Sequence, residues 1–457
     1  MRFQSFTEML TYYAENGSNQ TALIYDKDGT ILSLSYGELL EMTQQRKEEL
    51  LASGKTSIGI FCSSTVECIV TVFAAATADM QLVMLDGVIA EEHIAKQIKA
   101  GDVDMLWSDG KKSIAGFEQF LTDGVEKNAG RMLFFTSGTT GISKAVVLTE
   151  QSLCASAYNG SEKLPLSPED TLLCLLPLSH VFGFVCSLLW GLSCGAAVAL
   201  GRGARQMPFD LQYFRPTAVS VVPMLLGFLI KQKLLNDNLS LVLIGAGDCP
   251  EKLLDAVAAM GKRVSFGYGL TETSSGVAIS VTGDPHAMEI CPDDTVTIAP
   301  DGEILIQAPT CMMQGYYKDK ESTQAVLKDG VLFSGDLGYI DLDGRLHITG
   351  RKKEMLVLPS GTKIYLPDYE HDIAKALENA ELAVILLKAK PVLVIKELPE
   401  KRQEILDKLA QVMKKSPRAH RITDVIFTDK PLPRTATGKI KRWEIQKTEE
   451  EKNGKNE

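Results

Sequence analysis

Leu241-Val242-Leu243-Ile244-Gly245-Ala246-Gly247 is the stretch that decides the fold. Four apolar residues run into a Gly-Ala-Gly turn. Pro250–Met260 then carries helical spacing, and Val264–Tyr268 returns to a short apolar strand. Strand, helix and strand in succession argue for α/β layers with parallel sheets. The same alternation runs upstream. Ser57–Cys62 reads as a strand, Val66–Ala76 as a helix, Gln81–Leu85 as a strand, and Val219–Val222 as a strand leading into a helix over Pro223–Lys233.

From about Asp301 the texture changes. Glu303–Gln307, Gly338–Asp341 and Arg345–Thr349 are short strands with turn signals such as Asp343-Gly344. After Gly350 comes a smaller basic module of mixed helices and strands. The expected architecture is α/β: a large N-terminal domain (1–350) of layered α/β subdomains plus a small β-rich subdomain, a small mobile α+β C-terminal domain (351–447), and a charged, disordered tail (448–457).

A chain of 457 residues, 45% apolar and 23% charged, is an ordinary globular protein of two to four domains or subdomains. Its net charge of −10 argues against a general nucleic-acid binder. From Arg351 onward the balance is +6, against −16 before it. A basic module beside an acidic body suits a polyanionic small ligand, and ordinary surface scatter produces the same numbers. The nine cysteines are scattered without a C-x-x-C pair and read as free thiols of a reducing compartment. The N-terminus has no apolar signal core, which points to the cytoplasm. Phe182 to Gly201 is uncharged over a membrane-spanning length. Its four glycines and one-sided basic flank, Arg202 and Arg205, argue instead for a buried helix followed by a strand at Ala196–Leu200.

Four segments carry chemistry. Thr136-Ser137-Gly138-Thr139-Thr140-Gly141-Ile142-Ser143-Lys144 follows an apolar run, Arg131–Phe135. Its glycines let backbone N–H groups aim outward, its hydroxyls add donors, and Lys144 adds charge, as a phosphate nest requires. It is no Walker A loop, and the composition alone equally describes a plain flexible loop. Gly267-Tyr268-Gly269-Leu270-Thr271-Glu272-Thr273 offers an aromatic face, a phosphate donor in Thr271 and a hard oxygen ligand in Glu272. A strand-to-helix turn capped by Thr reads the same way. Phe333-Ser334-Gly335-Asp336-Leu337-Gly338 holds an Asp in a Gly-flanked turn, able to accept two ribose hydroxyls or to form an Asx turn. Pro431-Leu432-Pro433-Arg434-Thr435-Ala436-Thr437-Gly438-Lys439 places Lys439 on a Gly-Thr loop, where it could neutralise growing negative charge or simply be solvated.

Together and in this order, the four segments resemble the adenylate-forming superfamily of acyl-CoA synthetases, peptide-synthetase adenylation domains and luciferases. The resemblance covers roughly Ala22 to Lys441. It implies that Thr136, Ser137, Gly138, Thr139, Thr140, Gly141 and Lys144 hold the β- and γ-phosphates of ATP. It implies that Gly245, Ala246 and Gly247 floor the adenine, that Tyr268 and Gly269 receive its ring, and that Thr271 contacts the α-phosphate. Glu272 would hold Mg²⁺, Asp336 the ribose hydroxyls with Arg351 assisting, and Lys439 would bridge the acyl carboxylate and the α-phosphate. Lys353 falls at the family's hinge. Pro177-Leu178-Ser179-His180-Val181-Phe182-Gly183 matches the segment whose His gates the acyl pocket.

The resemblance also narrows the substrate. Amino-acid-activating relatives place an Asp just after the gate, and this chain has Val181. A hydrophobic acid is expected, and Gly350–Val357 is similar to the fatty acyl-CoA synthetase version of that segment, so the expected substrate is a medium- or long-chain fatty acid, with an aryl acid as the alternative. The acceptor is CoA or the phosphopantetheine of an acyl carrier protein. Ser143-Lys144-Ala145 replaces the usual Pro-Lys-Gly, Ser334 the usual Thr, and Leu382–Val394 reads as an abbreviated hairpin. A catalytically weak nucleotide-binding protein is the competing class, against which Thr271, Glu272, Asp336 and Lys439 argue.

Overall fold

The computed structural model describes residues 1–454 apart from 18, 127–128, 137–143, 204, 248, 283, 285, 358–362, 379, 388–389, 398, 416–420, 423 and 435–439. The chain divides into two compact units. The first comprises Met1–Thr136, Lys144–Ser334 and Tyr339–His347, and the second contains Gly335–Gly338 and Ile348–Glu457. The second unit takes in Gly335–Gly338, and Asp336 with it. The reason is local. Strand Leu346–Arg351 pairs with strand Val331–Ile340, which carries Asp336.

The first unit is built on two large sheets. Leu241–Ile244 sits in the nine-stranded one. Ala218–Val221, Leu241–Ile244 and Arg263–Phe266 run parallel, with Ala218 opposite Leu241 and Leu241 opposite Arg263. Thr171–Cys174 and Ala197–Leu200 extend the parallel set. All four residues of Leu241–Ile244 are buried, as a strand covered on both faces requires. The six-stranded sheet has the order Gly315–Tyr316, Ala145–Leu148, Met132–Phe135, Gln81–Leu85, Ser57–Phe61, Met105–Trp107. Helices join the two. Phe6 packs on Phe73 and on Phe184, and Phe184 meets Phe134 of the six-stranded sheet at 5.7 Å between ring centroids. The helix Val66–Thr77, capped by the Thr65 hydroxyl, is buried from Cys68 to Ala76. Such a helix fits only between apolar layers.

The uncharged stretch from Phe182 is a helix running from Val181 to Ser193, followed by strand Ala197–Leu200. Among the described residues no helix is long and apolar enough to cross a membrane. One feature was not legible: Val185–Leu189 is a π turn. It loosens the backbone ladder at Cys186, whose carbonyl accepts a hydrogen bond of 2.7 Å from the Ser220 hydroxyl. A smaller sheet of Thr295–Ile298, Glu303–Gln307, Val331–Ile340, Leu327–Lys328 and Leu346–Arg351 forms the β-rich part.

In the second unit, Leu382–Leu387 and Lys390–Lys396 pair antiparallel, and Asp424–Thr428 joins in parallel. Alternation sorts the side chains to two faces. Leu382, Val384, Leu393 and Ile395 pack with Ile373, Leu409 and Met413, while Ala383, Ile385, Val392 and Val394 pack with Leu432 and Ile445. The buried Glu370 ties this unit together, accepting from the Val384 N–H at 2.6 Å and from the Arg442 guanidinium. Of the segment expected as a disordered tail, residues 448–454 instead continue helix Arg442–Gly454, and 455–457 lie outside the described residues. Lys452 pairs with Glu449 at 2.5 Å and Gln446 with Glu450 at 2.9 Å, contacts that only helical spacing permits.

Candidate functional site

Ligands of open α/β sheets collect at the carboxyl ends of parallel strands, and the sequence-selected residues of the first unit lie there. Leu241–Ile244 ends in Gly245-Ala246-Gly247. Ala246 takes a left-handed backbone (φ 62°) that costs an alanine energy and turns the chain sharply. The Phe182 ring presses on Gly245, so that a Cβ there would lie 2.8 Å from a ring carbon. Strand Arg263–Leu270 ends in a bulge at Tyr268 and Gly269. A Cβ on Gly269 would fall on the Ser275 carbonyl oxygen, so this position admits only glycine.

Thr271–Thr273 form one 3₁₀ turn, and Ser274 (φ 52°) and Ser275 (φ 112°) follow with positive φ. Such strain persists only when the surroundings over-determine it. Here the Ser274 hydroxyl bonds the Cys311 carbonyl (2.7 Å) and Ser152 (3.0 Å), and Thr273 bonds the Leu270 N–H (3.1 Å). Glu272 is held at both ends. Its carbonyl accepts from the Met313 N–H at 2.8 Å, and its Oε1 accepts from the Tyr316 hydroxyl at 2.7 Å.

The strands on either side of the expected phosphate loop are antiparallel neighbours. Met132–Phe135 and Ala145–Leu148 are antiparallel, with Phe135 opposite Ala145. Thr136 and Lys144 close the turn: the Thr136 N–H donates to the Lys144 carbonyl (3.0 Å) and the Lys144 N–H to the Thr136 hydroxyl (3.3 Å). The Lys144 ammonium sits 4.5 Å from the centre of the Tyr316 ring. Ser137, Gly138, Thr139, Thr140 and Gly141 lie outside the described residues, as does Lys439. Burial first, and then the Glu272 charge and hydrogen bond, push the Tyr316 hydroxyl well above its ordinary range. It therefore stays protonated and donates.

His180 caps helix Val181–Phe184 with an extended backbone, and its side chain is 41% exposed. Its Nε2 stands 3.6 Å from Asp86 Oδ2. Burial works against the Asp86 charge, but the neighbouring His180 imidazole and the Val88 N–H, which donates to Asp86 Oδ1 at 2.9 Å, hold its carboxyl below the usual range. Further along the helix, the Cys186 thiol lies 3.3 Å from the Ser275 hydroxyl. Phe182, Cys186, Gly245 and Ser275 thus give an uncharged patch beside the Glu272 turn.

In the second unit, Arg351 Nε meets Asp336 Oδ1 at 2.9 Å, and Asp336 is 2% exposed. Lys353 is exposed within the 3₁₀ turn Lys352–Glu354. Asp86 and Tyr316 were not selected from sequence. An acid directly after the parallel strand Gln81–Leu85 was the available sign for Asp86. Tyr316 gave no such sign, because its partners are distant in sequence.

The carboxylate fits a magnesium ion that arrives with phosphate. Among the described residues, no group of three or more His, Cys, Asp and Glu side chains could hold a metal unaided. A single Glu whose Oε1 is fixed by a hydroxyl suits an ion that brings phosphate and water oxygens as its other ligands.

Comparison with known proteins places the fold. The AMP-binding enzyme model matches residues 118–317. The indoleacetate–CoA ligase of Aromatoleum aromaticum is 31% identical over 341 residues, 69% of this chain and 66% of that protein. The 2-succinylbenzoate–CoA ligase of Bacillus cereus is 26% identical over 433 residues, 86% of this chain and 89% of that protein. The o-succinylbenzoate CoA synthetase of Bacillus subtilis, solved with its acyl-adenylate intermediate, superposes with a TM-score of 0.80 at 22% identity, covering 96% of this chain and 97% of that one. The class is that of AMP-forming ligases that join an acid to a thiol. The chain belongs to the AMP-binding enzyme family.

Proposed function

We propose that this enzyme activates an aryl-bearing carboxylic acid with ATP, releasing pyrophosphate and forming the acyl-adenylate, and then transfers the acyl group to the thiol of CoA with release of AMP. Two relatives named for aryl acids, indoleacetate and 2-succinylbenzoate, support the aryl alternative over the fatty-acid expectation. Both are CoA ligases, which favours CoA over a carrier protein. The uncharged patch of Phe182, Cys186, Gly245 and Ser275 suits a hydrophobic acid and offers no partner to an α-ammonium group.

The observation that carries the activation step is the Lys144–Tyr316–Glu272 array, a cation and a hard carboxylate set on one buried tyrosine. In this reading the carboxylate of the acid attacks the α-phosphorus and pyrophosphate leaves. Lys144 and the Thr136-to-Gly141 hydroxyls and N–H groups hold the departing phosphates. Thr271 donates to the α-phosphate. Magnesium on Glu272 supplies neutralisation of phosphate charge when bound. Tyr268 stacks on adenine above Gly245-Ala246-Gly247, and Asp336 with Arg351 holds the ribose. Lys439 meets the acyl carboxylate, Lys353 is the hinge, and His180 guards the acyl pocket. No side chain acts as nucleophile. Removing one preorganised donor of this kind costs about 10²–10³ in rate.

The test is mass-spectrometric detection of CoA thioesters and AMP across a panel of aryl and fatty acids. Aryl thioesters formed in preference to fatty acyl thioesters support the proposal, and the reverse order refutes it.

A further inference from the structure

We infer that Tyr316 is a positioning residue of the nucleotide site, which keeps Lys144 and Glu272 apart and aims each at its own ligand. The inference rests on the acid-activating reading above and deepens it. A lysine and a glutamate that approach the same tyrosine in a partly buried place would ordinarily pair with each other. Here they do not: both residues are described, and no Lys144–Glu272 ion pair forms. Tyr316 satisfies each separately. Its ring face takes the Lys144 ammonium at 4.5 Å, and its hydroxyl donates to Glu272 Oε1 at 2.7 Å. The lysine keeps its charge for phosphate, and the glutamate keeps its second oxygen for a hard cation.

The backbone fixes the tyrosine for this task. Gly315–Tyr316 is an edge strand paired with the second strand of the hairpin, Gly315 opposite Val147 and Tyr316 opposite Val146. Gln314 N–H donates to the Val147 carbonyl at 2.9 Å and Tyr317 N–H to the Ala145 carbonyl at 2.8 Å. The Tyr316 N–H is taken by the Thr323 hydroxyl at 2.8 Å. Three residues upstream, Met313 N–H holds the Glu272 carbonyl. One short segment therefore registers the phosphate hairpin against the Glu272 turn, and Tyr316 is where the two meet.

Tyr316→Phe keeps the ring and loses the hydroxyl, while Tyr316→Leu loses both. Binding of the α,β-methylene analogue of ATP is measured by calorimetry with and without Mg²⁺, and Mn²⁺ binding to the protein–analogue complex by electron paramagnetic resonance. Tyr316→Phe is expected to weaken metal binding about tenfold and to change metal-free nucleotide binding by less than about twofold. Tyr316→Leu is expected to weaken both by about tenfold or more. Should Tyr316→Leu fail to fold, Tyr316→Phe decides alone. Metal affinity within about twofold of wild type in Tyr316→Phe overturns the inference, as does an equal loss of metal-free binding, which marks a merely structural tyrosine. If wild type binds the metal–nucleotide but no acid supports pyrophosphate exchange, the proposed function fails while this inference is still judged by the binding data. If wild type binds no metal–nucleotide, both fail.

Discussion

His180 Nε2 and Asp86 Oδ2 lie 3.6 Å apart, the imidazole half-exposed and the carboxylate mostly buried. The pair joins the carboxyl end of one sheet's strand to the start of the helix that carries Phe182 and Cys186. The Cys62 thiol also faces Asp86. Asp86 is held below the usual carboxylate range, so its orienting charge is present above about pH 4 and fades only as pH falls through its lowered value. Asp86→Asn is expected to raise the KM for acid or CoA several-fold and to leave the KM for ATP unchanged. Because His180 is exposed, stability should change by less than about 1 kcal/mol. Steady-state kinetics with each substrate varied in turn check this, and a matching rise in the ATP KM contradicts it.

The Phe182 ring lies where a Cβ on Gly245 would go. Gly245→Ala is expected to destabilise the protein by about 1–3 kcal/mol through overpacking and to weaken bulky acids most. Phe182→Leu should relieve both effects. A double-mutant cycle on thermal stability measures the coupling, expected at about 1 kcal/mol or more, and strict additivity contradicts the contact.

Two neighbouring glycines should respond oppositely. Gly269 abuts the Ser275 carbonyl, whereas nothing lies within 4 Å of a Cβ built on Gly276. Gly269→Ala is expected to lose upward of about 3 kcal/mol or fail to fold, and Gly276→Ala to melt like wild type. Calorimetric or circular-dichroism melts of both variants decide.

Much of this was legible beforehand, for identifiable reasons. Leu241–Ile244 and its Gly-Ala-Gly turn announce themselves because a strand, its turn and the following helix are local in sequence. Glu272 and Asp336 could be singled out as candidates because each sits among glycines and hydroxyls. The π turn at Val185–Leu189 was hidden because the Ser220 hydroxyl that meets its Cys186 carbonyl comes from a strand more than thirty residues on. Tyr316 was hidden likewise, since its roles arise from pairing with Val146 and bonding to Glu272. Residues 448–454 read as disordered because of their charged composition, while their spacing and the docking of Ile445 make them helical.

Asp294 offers a pH-dependent test of the core. It is 8% exposed, and among the described residues neither carboxylate oxygen has a hydrogen-bond partner. Burial raises its carboxyl to about 7, with Arg2 opposing. Between about pH 4 and 7 the folded protein holds a proton that the unfolded chain releases, so stability falls as pH rises through that window. A shift of ~3 units is worth at most ~4 kcal/mol. Asp294→Asn should therefore raise the melting temperature at about pH 8 and leave it nearly unchanged at about pH 4, the lower edge of that window. An equal effect at both values contradicts a titrating carboxylate.

An enzyme that makes the acyl-adenylate of an aryl-bearing acid catalyses acid-dependent exchange of labelled pyrophosphate into ATP, which measures that step without the thiol. Indoleacetate, 2-succinylbenzoate and simple benzoates, each supplied with Mg²⁺ and no CoA, should give exchange from at least one aryl acid, reduced by about 10²-fold or more in Lys439→Ala. Exchange that is absent with every aryl acid, or undiminished in Lys439→Ala, contradicts the account.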